Sequence, residues 1–332
     1  MGWVASTISS PFGPRCGPIA IEFRGARARI LQVASDRRCH VVAAATVGFD
    51  LEHPEEAADA ILAALRAGGF RGGACVVGLP FCAVRAETST VADGSDESIL
   101  REFERTATFR HGFLRPQCGI IRLGDPEAGR VDVAAVTADR EIVEAILDPL
   151  VDRGLMPDLA EPSFLSVARS CSRAFRRSSD RHRVRLAVDL HPDGATALLL
   201  AGDRIVWCRS VDERADVPEA VATCLHDGLP LVDESAKEIR LVGHEANDPA
   251  LAEELSASCR LPVTTDDVVE TLADAMRQIG VRAEPGSAPS AWGGVLGLAF
   301  HRPARRQRHT SHQADRGRPN TGHPDTGHQE AA

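Results

Sequence analysis

Tyrosine is absent from this 332-residue chain, and lysine occurs once, at Lys237, against 37 arginines. Both gaps exclude chemistry. A phosphate-binding P-loop needs a Gly-Lys pair ahead of Ser or Thr, whereas Lys237 stands in the polar stretch DESAKEIR, which contains no glycine. A pyridoxal enzyme would have to use that same surface lysine, and no phenol is available as a general acid. Aromatic residues make up 4% of the chain, too few for a base-stacking platform. The 47 acidic against 38 basic side chains leave −9, which argues against a nucleic-acid backbone as partner. No apolar run approaches the ~20 residues that span a bilayer. Nine cysteines lie singly, with no CxxC spacing and an odd total. Most sit in apolar runs such as ACVVGL and IVWCRS, where a thiol behaves as a small buried hydrophobe. That usage fits a reducing, cytoplasmic compartment.

What is present is ordinary globular material, 43% apolar and 26% charged, enough for two compact domains. Residues 1–17 read as a flexible leader without the charged and apolar regions of a signal peptide. Met1–Ser6 also fits the short, common N-myristoylation pattern. Pro18–Val47 then reads as three short strands, and Pro54–Gly68 as a helix whose Ala57, Ile61, Leu62 and Leu65 share a face. A buried-type strand follows at Ala74–Pro80, and a helix from Ser95 to about Thr108. Strands near 118–123 and 130–137 precede helices at Asp139–Arg153 and Pro162–Phe175. RRSSDRHRVR, at 176–185, is a polar, basic linker. After it the pattern starts again: three strands within 185–210, a helix around 213–226, a strand at 238–243, a helix at 248–259, the strand LPVTT, a helix at 266–279 and an apolar helix near 290–300. A meander of three strands and a helix thus recurs, an internal duplication without sequence repetition. The 301–332 tail holds five of the twelve histidines and six arginines and cannot bury a core, so it reads as disordered.

Several segments carry a family likeness: VGLPFCAV (77–84), DESILREFERTATF (96–109), the block 131–170 ending in EPSFLSVARS, VDLHPDGATALLLAGDRIVWCRSV (188–211), IRLVGHEANDPALAEELSASCRLPV (239–263) and AWGGVLGLAF (291–300). In order and spacing they resemble the PilM family, cytoplasmic actin-like proteins of type IV pilus assembly and DNA uptake. The resemblance implies an α/β, actin-like fold of the duplicated ribonuclease H-like kind. It would have a first half at 18–175 carrying an inserted subdomain at about 80–137, and a second half at 186–300. It also implies a scaffold at the inner membrane that binds the cytoplasmic N-terminal peptide of a bitopic, PilN-like partner and self-associates. The partner groove would lie between the strands at 74–86 and the helix at 95–109, with Val84, Arg101, Phe103 and Arg105 along it.

The same resemblance implies Mg-ATP in a cleft between the halves, cradled by two hairpin turns with an acid beside each. In this sequence the first turn is Glu22-Phe23-Arg24-Gly25-Ala26-Arg27-Ala28-Arg29. The acid remains as Glu22 and the base as Arg29, but Arg24 replaces a glycine, and Gly25 supplies the turn only in a shifted register. The second turn is Asp189-Leu190-His191-Pro192-Asp193-Gly194. There Pro192 removes an N–H donor, Asp193 faces phosphate with negative charge, and Asp193-Gly194 reads as a hairpin turn. The adenosine turn keeps one glycine, Gly243, before His244-Glu245. All three turns are altered where phosphate or base would approach, so the nucleotide site reads as degenerate, with an active actin-like ATPase as the alternative. No catalytic residue and no metal site is assigned. His191 with Asp193 lacks a third ligand, no G-x-S-x-G elbow is present, and no cysteine has an assignable histidine partner.

Overall fold

The computed structural model describes residues 16–34, 40–173, 184–202, 204–232, 235–243, 246–265 and 289–301. The leader before residue 16, residues 176–183 of the expected linker, the expected helix at 266–279, His244-Glu245 and the tail beyond His301 lie outside the described residues.

The first sheet begins as an antiparallel meander, β1 (Ile19–Arg24), β2 (Arg27–Val33) and β3 (Val41–Gly48). Gly25 turns the first hairpin with φ 54°, a region where a Cβ is penalised. Parallel strands β4 (Ala74–Leu79) and β8 (Met156–Pro162) then add beside β1, giving the order β3-β2-β1-β4-β8. The second half repeats the plan: β9 (Val184–His191), β10 (Gly194–Ala201) and β11 (Arg204–Val211) form a meander, and β12 (Ile239–Gly243) and β13 (Val263–Thr265) add in parallel beside β9. The recurrence inferred from the sequence is therefore one of topology. Arg185, inside the expected 176–185 linker, already belongs to β9 with Val184 and reaches the main-chain carbonyl of Cys171.

Between β4 and β8 the chain makes β5 (Val84–Ala92), β6 (Pro116–Arg122) and β7 (Arg130–Asp139). These join the second sheet at the free edge of β11, so its full order is β13-β12-β9-β10-β11-β5-β7-β6. The β11–β5 junction has a single registered pair, Arg209 with Glu87. Strand β5 was not foreseen. Its sequence, VRAETSTVA, lacks the apolar run of a buried strand, and its strand character comes from nine registered pairs with β7.

Helices cover both sheets. α1 (Pro54–Ala67) starts on a proline with Glu55 and Glu56 in its first turn, which suits the helix dipole. Ala57, Ala58, Ile61 and Leu65 are its buried residues and pack with α3 (Arg140–Asp152) on one face of the first sheet. α2 (Asp96–His111) is capped by Ser95, whose hydroxyl accepts from the Ser98 amide at 3.2 Å. It runs three residues past the predicted end, to Gly112 in the left-handed conformation that terminates helices. α5 (Val217–Gly228) and α6 (Pro249–Cys259) cover the outer face of the second sheet. The inner layer holds α4 (Ser163–Arg173) against the second sheet and α7 (Gly293–Ala299) against the first. These two helices touch at Gly297, where a Cβ would collide with the Ser166 carbonyl.

Candidate functional site at the meeting of the two hairpins

Strand alternation puts Glu22 and Arg24 on the same face of β1, the one covered by α7. Glu22 is fully buried and Arg24 3% exposed, so neither charge can be left alone. Arg24 donates from Nη2 to Glu22 Oε1 at 2.7 Å and from Nε to the same oxygen at 3.3 Å. Its Nη1 crosses to the second half, donating to Asp189 Oδ1 and to the Leu190 carbonyl, both at 2.7 Å. Glu22 Oε2 accepts from the Val295 amide at 3.0 Å. On the far side, Asp189 Oδ2 lies 3.0 Å from His191 Nε2 and accepts from Ser163 Oγ at 3.2 Å.

Burial would push the Asp189 carboxyl up, but the Arg24 guanidinium and His191 override it and hold it well below the usual carboxylate range. Burial likewise opposes charge on Arg24, and Asp189 and Glu22 more than reverse it, leaving the guanidinium more firmly protonated than in water. With Asp189 ionised, His191 Nε2 is assigned as a donor to it, and Nδ1 has no hydrogen-bond partner among the described residues. The ring stacks on Phe81 at 4.9 Å between centroids.

Two glycines leave room for this ion cluster. A Cβ on Gly243, which has φ 104°, would strike Arg24 Nη1 and the Leu190 carbonyl. A Cβ on Gly294 would strike Glu22 Oε1. The two hairpin tips also meet, since a Cβ on Gly25 would come within 2.8 Å of Pro192 Cγ. Of the expected nucleotide residues, the fold brings Glu22, Arg24, Asp189 and Gly243 together and sets Gly25 against the second hairpin. Asp193 is exposed at that hairpin's tip. The turn there is Pro192-Asp193, one residue earlier than expected, because His191 pairs with Gly194 as the first strand pair. Gly194 is confined by the Val211 carbonyl and the Phe81 ring.

Arg29 is opposite Glu22 on β2 and 4% exposed. Burial is the main reason its pKa is pushed down to about 10; Glu22 offsets part of this, and Arg24 and Arg27 add repulsion. Its Nε and Nη1 have no hydrogen-bond partner among the described residues. Sequence reading missed Ser163, Gly294 and the Val295 amide. The Gly-Gly pair in AWGGVLGLAF was the available signal for the last two, since adjacent glycines in an apolar helix mark a close approach.

A second feature is an open cleft of about 180 Å³ between α2 and the sheet, where β5 meets β11. Of the residues expected along the partner groove, Phe103 lines it. Val84 is buried in the core with α4. Arg101 is exposed and pairs with Glu97 at 2.8 Å, and Arg105 is exposed. The arginines that line the cleft are Arg85, Arg110 and Arg209. Elsewhere, Asp50, Glu52 and His53 bring potential donor atoms within 4.8 Å of one another, all on exposed side chains. Burial pushes the Cys75 and Cys208 thiols up to about 12, away from the reactive thiolate form. Among the described residues no helix is long and apolar enough to cross a membrane.

No protein-family model matches the chain, and no curated protein matches it in sequence. Among solved structures, a chain of the PilM–PilN type IV pilus biogenesis complex superposes with a TM-score of 0.61 at 18% identity, covering 86% of this chain and 98% of that one. A Bacteroides thetaiotaomicron protein with an actin-like ATPase fold and unknown function matches at TM-score 0.49 and 8% identity, covering 78% and 95%. In architecture the chain thus has an actin-like, duplicated α/β fold, shared with that chain of the PilM–PilN complex.

Proposed function

We propose that the protein is a cytoplasmic actin-like scaffold of a type IV pilus or related assembly platform, working without a bound nucleotide. It would sit at the inner membrane through the cytoplasmic peptide of a single-span, PilN-like partner seated at the inserted subdomain (about 80–137), and it would self-associate. The observation that carries this reading is Arg24. Its guanidinium already joins the two carboxylates that the family resemblance assigns to the waters of Mg²⁺.

The residues present do not suit Mg-ATP. Glu22 and Asp189 are spent on an internal cation, Pro192 offers no amide, and the hairpin tips touch at Gly25 and Pro192. Arg24 fills the space beside Gly243. Partner binding draws support from the likeness in fold to a chain of the PilM–PilN complex and from the open cleft beside α2.

Thermal unfolding with and without millimolar Mg-ATP tests the reading. A ligand at ~100 times its dissociation constant stabilises by about 2.7 kcal/mol. An unchanged midpoint is expected, and a clear upward shift would restore the ATP-gated alternative. Co-purification with a single-span membrane protein encoded nearby would test the scaffold role directly.

A further inference from the structure

The cleft beside α2 carries an unbalanced set of charges. Arg85 donates from Nη2 to Asp212 Oδ1 at 2.5 Å and caps the Phe81 and Val84 carbonyls. Glu87 faces Arg110, whose Nη1 lies 4.0 Å from Glu87 Oε2, and also the charge of Arg209. His111 stands 3.9 Å from Asp212 Oδ2. Burial first, and then the Arg85 charge, lower the His111 pKa below the ordinary value, with Asp212 opposing them. Three guanidiniums thus face two carboxylates, and one positive charge is left over.

Hydrogen bonding is incomplete at the same place. Arg85 Nε is buried and has no hydrogen-bond partner among the described residues, and His111 Nδ1 has only the 3.9 Å approach of Asp212. A buried N–H without an acceptor is costly, so an acceptor that reached Arg85 Nε would be rewarded. Phe103 and Ala107 give the cleft an apolar wall. Its size, about 180 Å³, is below the ~300 Å³ at which drug-sized ligand pockets begin. The space suits one side chain and not a nucleotide.

We infer that this cleft is a receptor for a single carboxylate, an Asp or Glu side chain presented by an acidic peptide segment, held between Arg110, Arg209 and the Arg85–His111 wall. The inference rests on the reading of the inserted subdomain as the partner's seat and supplies the chemistry of the contact. One carboxylate cancels the residual charge, and its two oxygens can accept from two arginines at once.

The test titrates the full chain with N-acetyl-glutamate methylamide, its uncharged glutamine counterpart and inorganic phosphate, following amide shifts by NMR. Saturable shifts at Thr106 and Ser210 are expected with the glutamate probe and at least about tenfold weaker binding with glutamine. Arg110→Ala and Arg209→Ala, both at exposed side chains, should each weaken the glutamate probe several-fold while leaving the unfolding midpoint in place. Thr106→Phe should block the cleft without altering its charge. Equal binding of glutamate and glutamine, or shifts confined to other surfaces, would overturn the carboxylate assignment. Phosphate binding more tightly than glutamate would reassign the cleft to a free oxyanion and overturn the peptide source. If the glutamate probe fails while a single-span partner still co-purifies, only this inference falls; loss of co-purification as well removes the scaffold reading.

Discussion

At Arg24 the side chain's three nitrogens serve two carboxylates and a carbonyl, all inside the protein. Replacing it with alanine strands Glu22 and Asp189 as buried charges, and breaking a buried pair in this way costs roughly 3–5 kcal/mol. Chemical denaturation of Arg24→Ala should show that loss. Lysine should restore little of it, because a single ammonium cannot span the fork. The same cluster sets an acid limit. The Asp189 carboxyl is depressed in the folded protein, so its stabilising contribution is fully present above the unfolded value of ~3.9. It is lost as pH falls from there toward the folded value. Stability measured below about pH 4 should therefore drop more steeply in the parent than in Asp189→Asn, whose loss at neutral pH is already incurred. The side-by-side placement of Glu22 and Arg24 was legible from strand alternation. The third member was not, because Asp189 is 165 residues away in sequence and nothing local announces that contact.

Helix α7 shows an element whose sequence understates its constraints. GGVLGLA has poor helix propensity, since each glycine costs about 1 kcal/mol relative to alanine. Gly297→Ala would therefore stabilise an isolated helix. In the protein the added Cβ meets the Ser166 carbonyl of α4, and overpacking of this kind costs typically 1–3 kcal/mol. The variant should be destabilised by about 1–2 kcal/mol in urea, the opposite sign to propensity; a more stable variant would mean that the α4–α7 contact yields easily. Helices with a clear apolar stripe, such as α1, could be read directly. Strand β5 could not, because its pairing with β7, and at one point with β11, is a non-local choice. The second hairpin turn slipped by one residue because Pro192 serves as a turn residue, leaving Gly194 to begin β10.

Across the whole molecule, the repeated strand plan was visible as two meanders, each followed by a helix, because short strands and tight turns leave strong local signals. What stayed hidden was the attachment of the inserted strands to the opposite half's sheet, since nothing in residues 84–139 records that β5 will find β11. The inner ion cluster has a further consequence at this scale. A scaffold clasped by a diffusible nucleotide could be opened by exchange or cleavage of that nucleotide, which would give cellular energy supply a handle on its shape. A cation covalently carried on β1 cannot diffuse away or be depleted by starvation. Under the proposed scaffold function, the lifetime of this conformation would then be governed by synthesis, degradation and partner supply, and the assembly it belongs to would take its timing from another component.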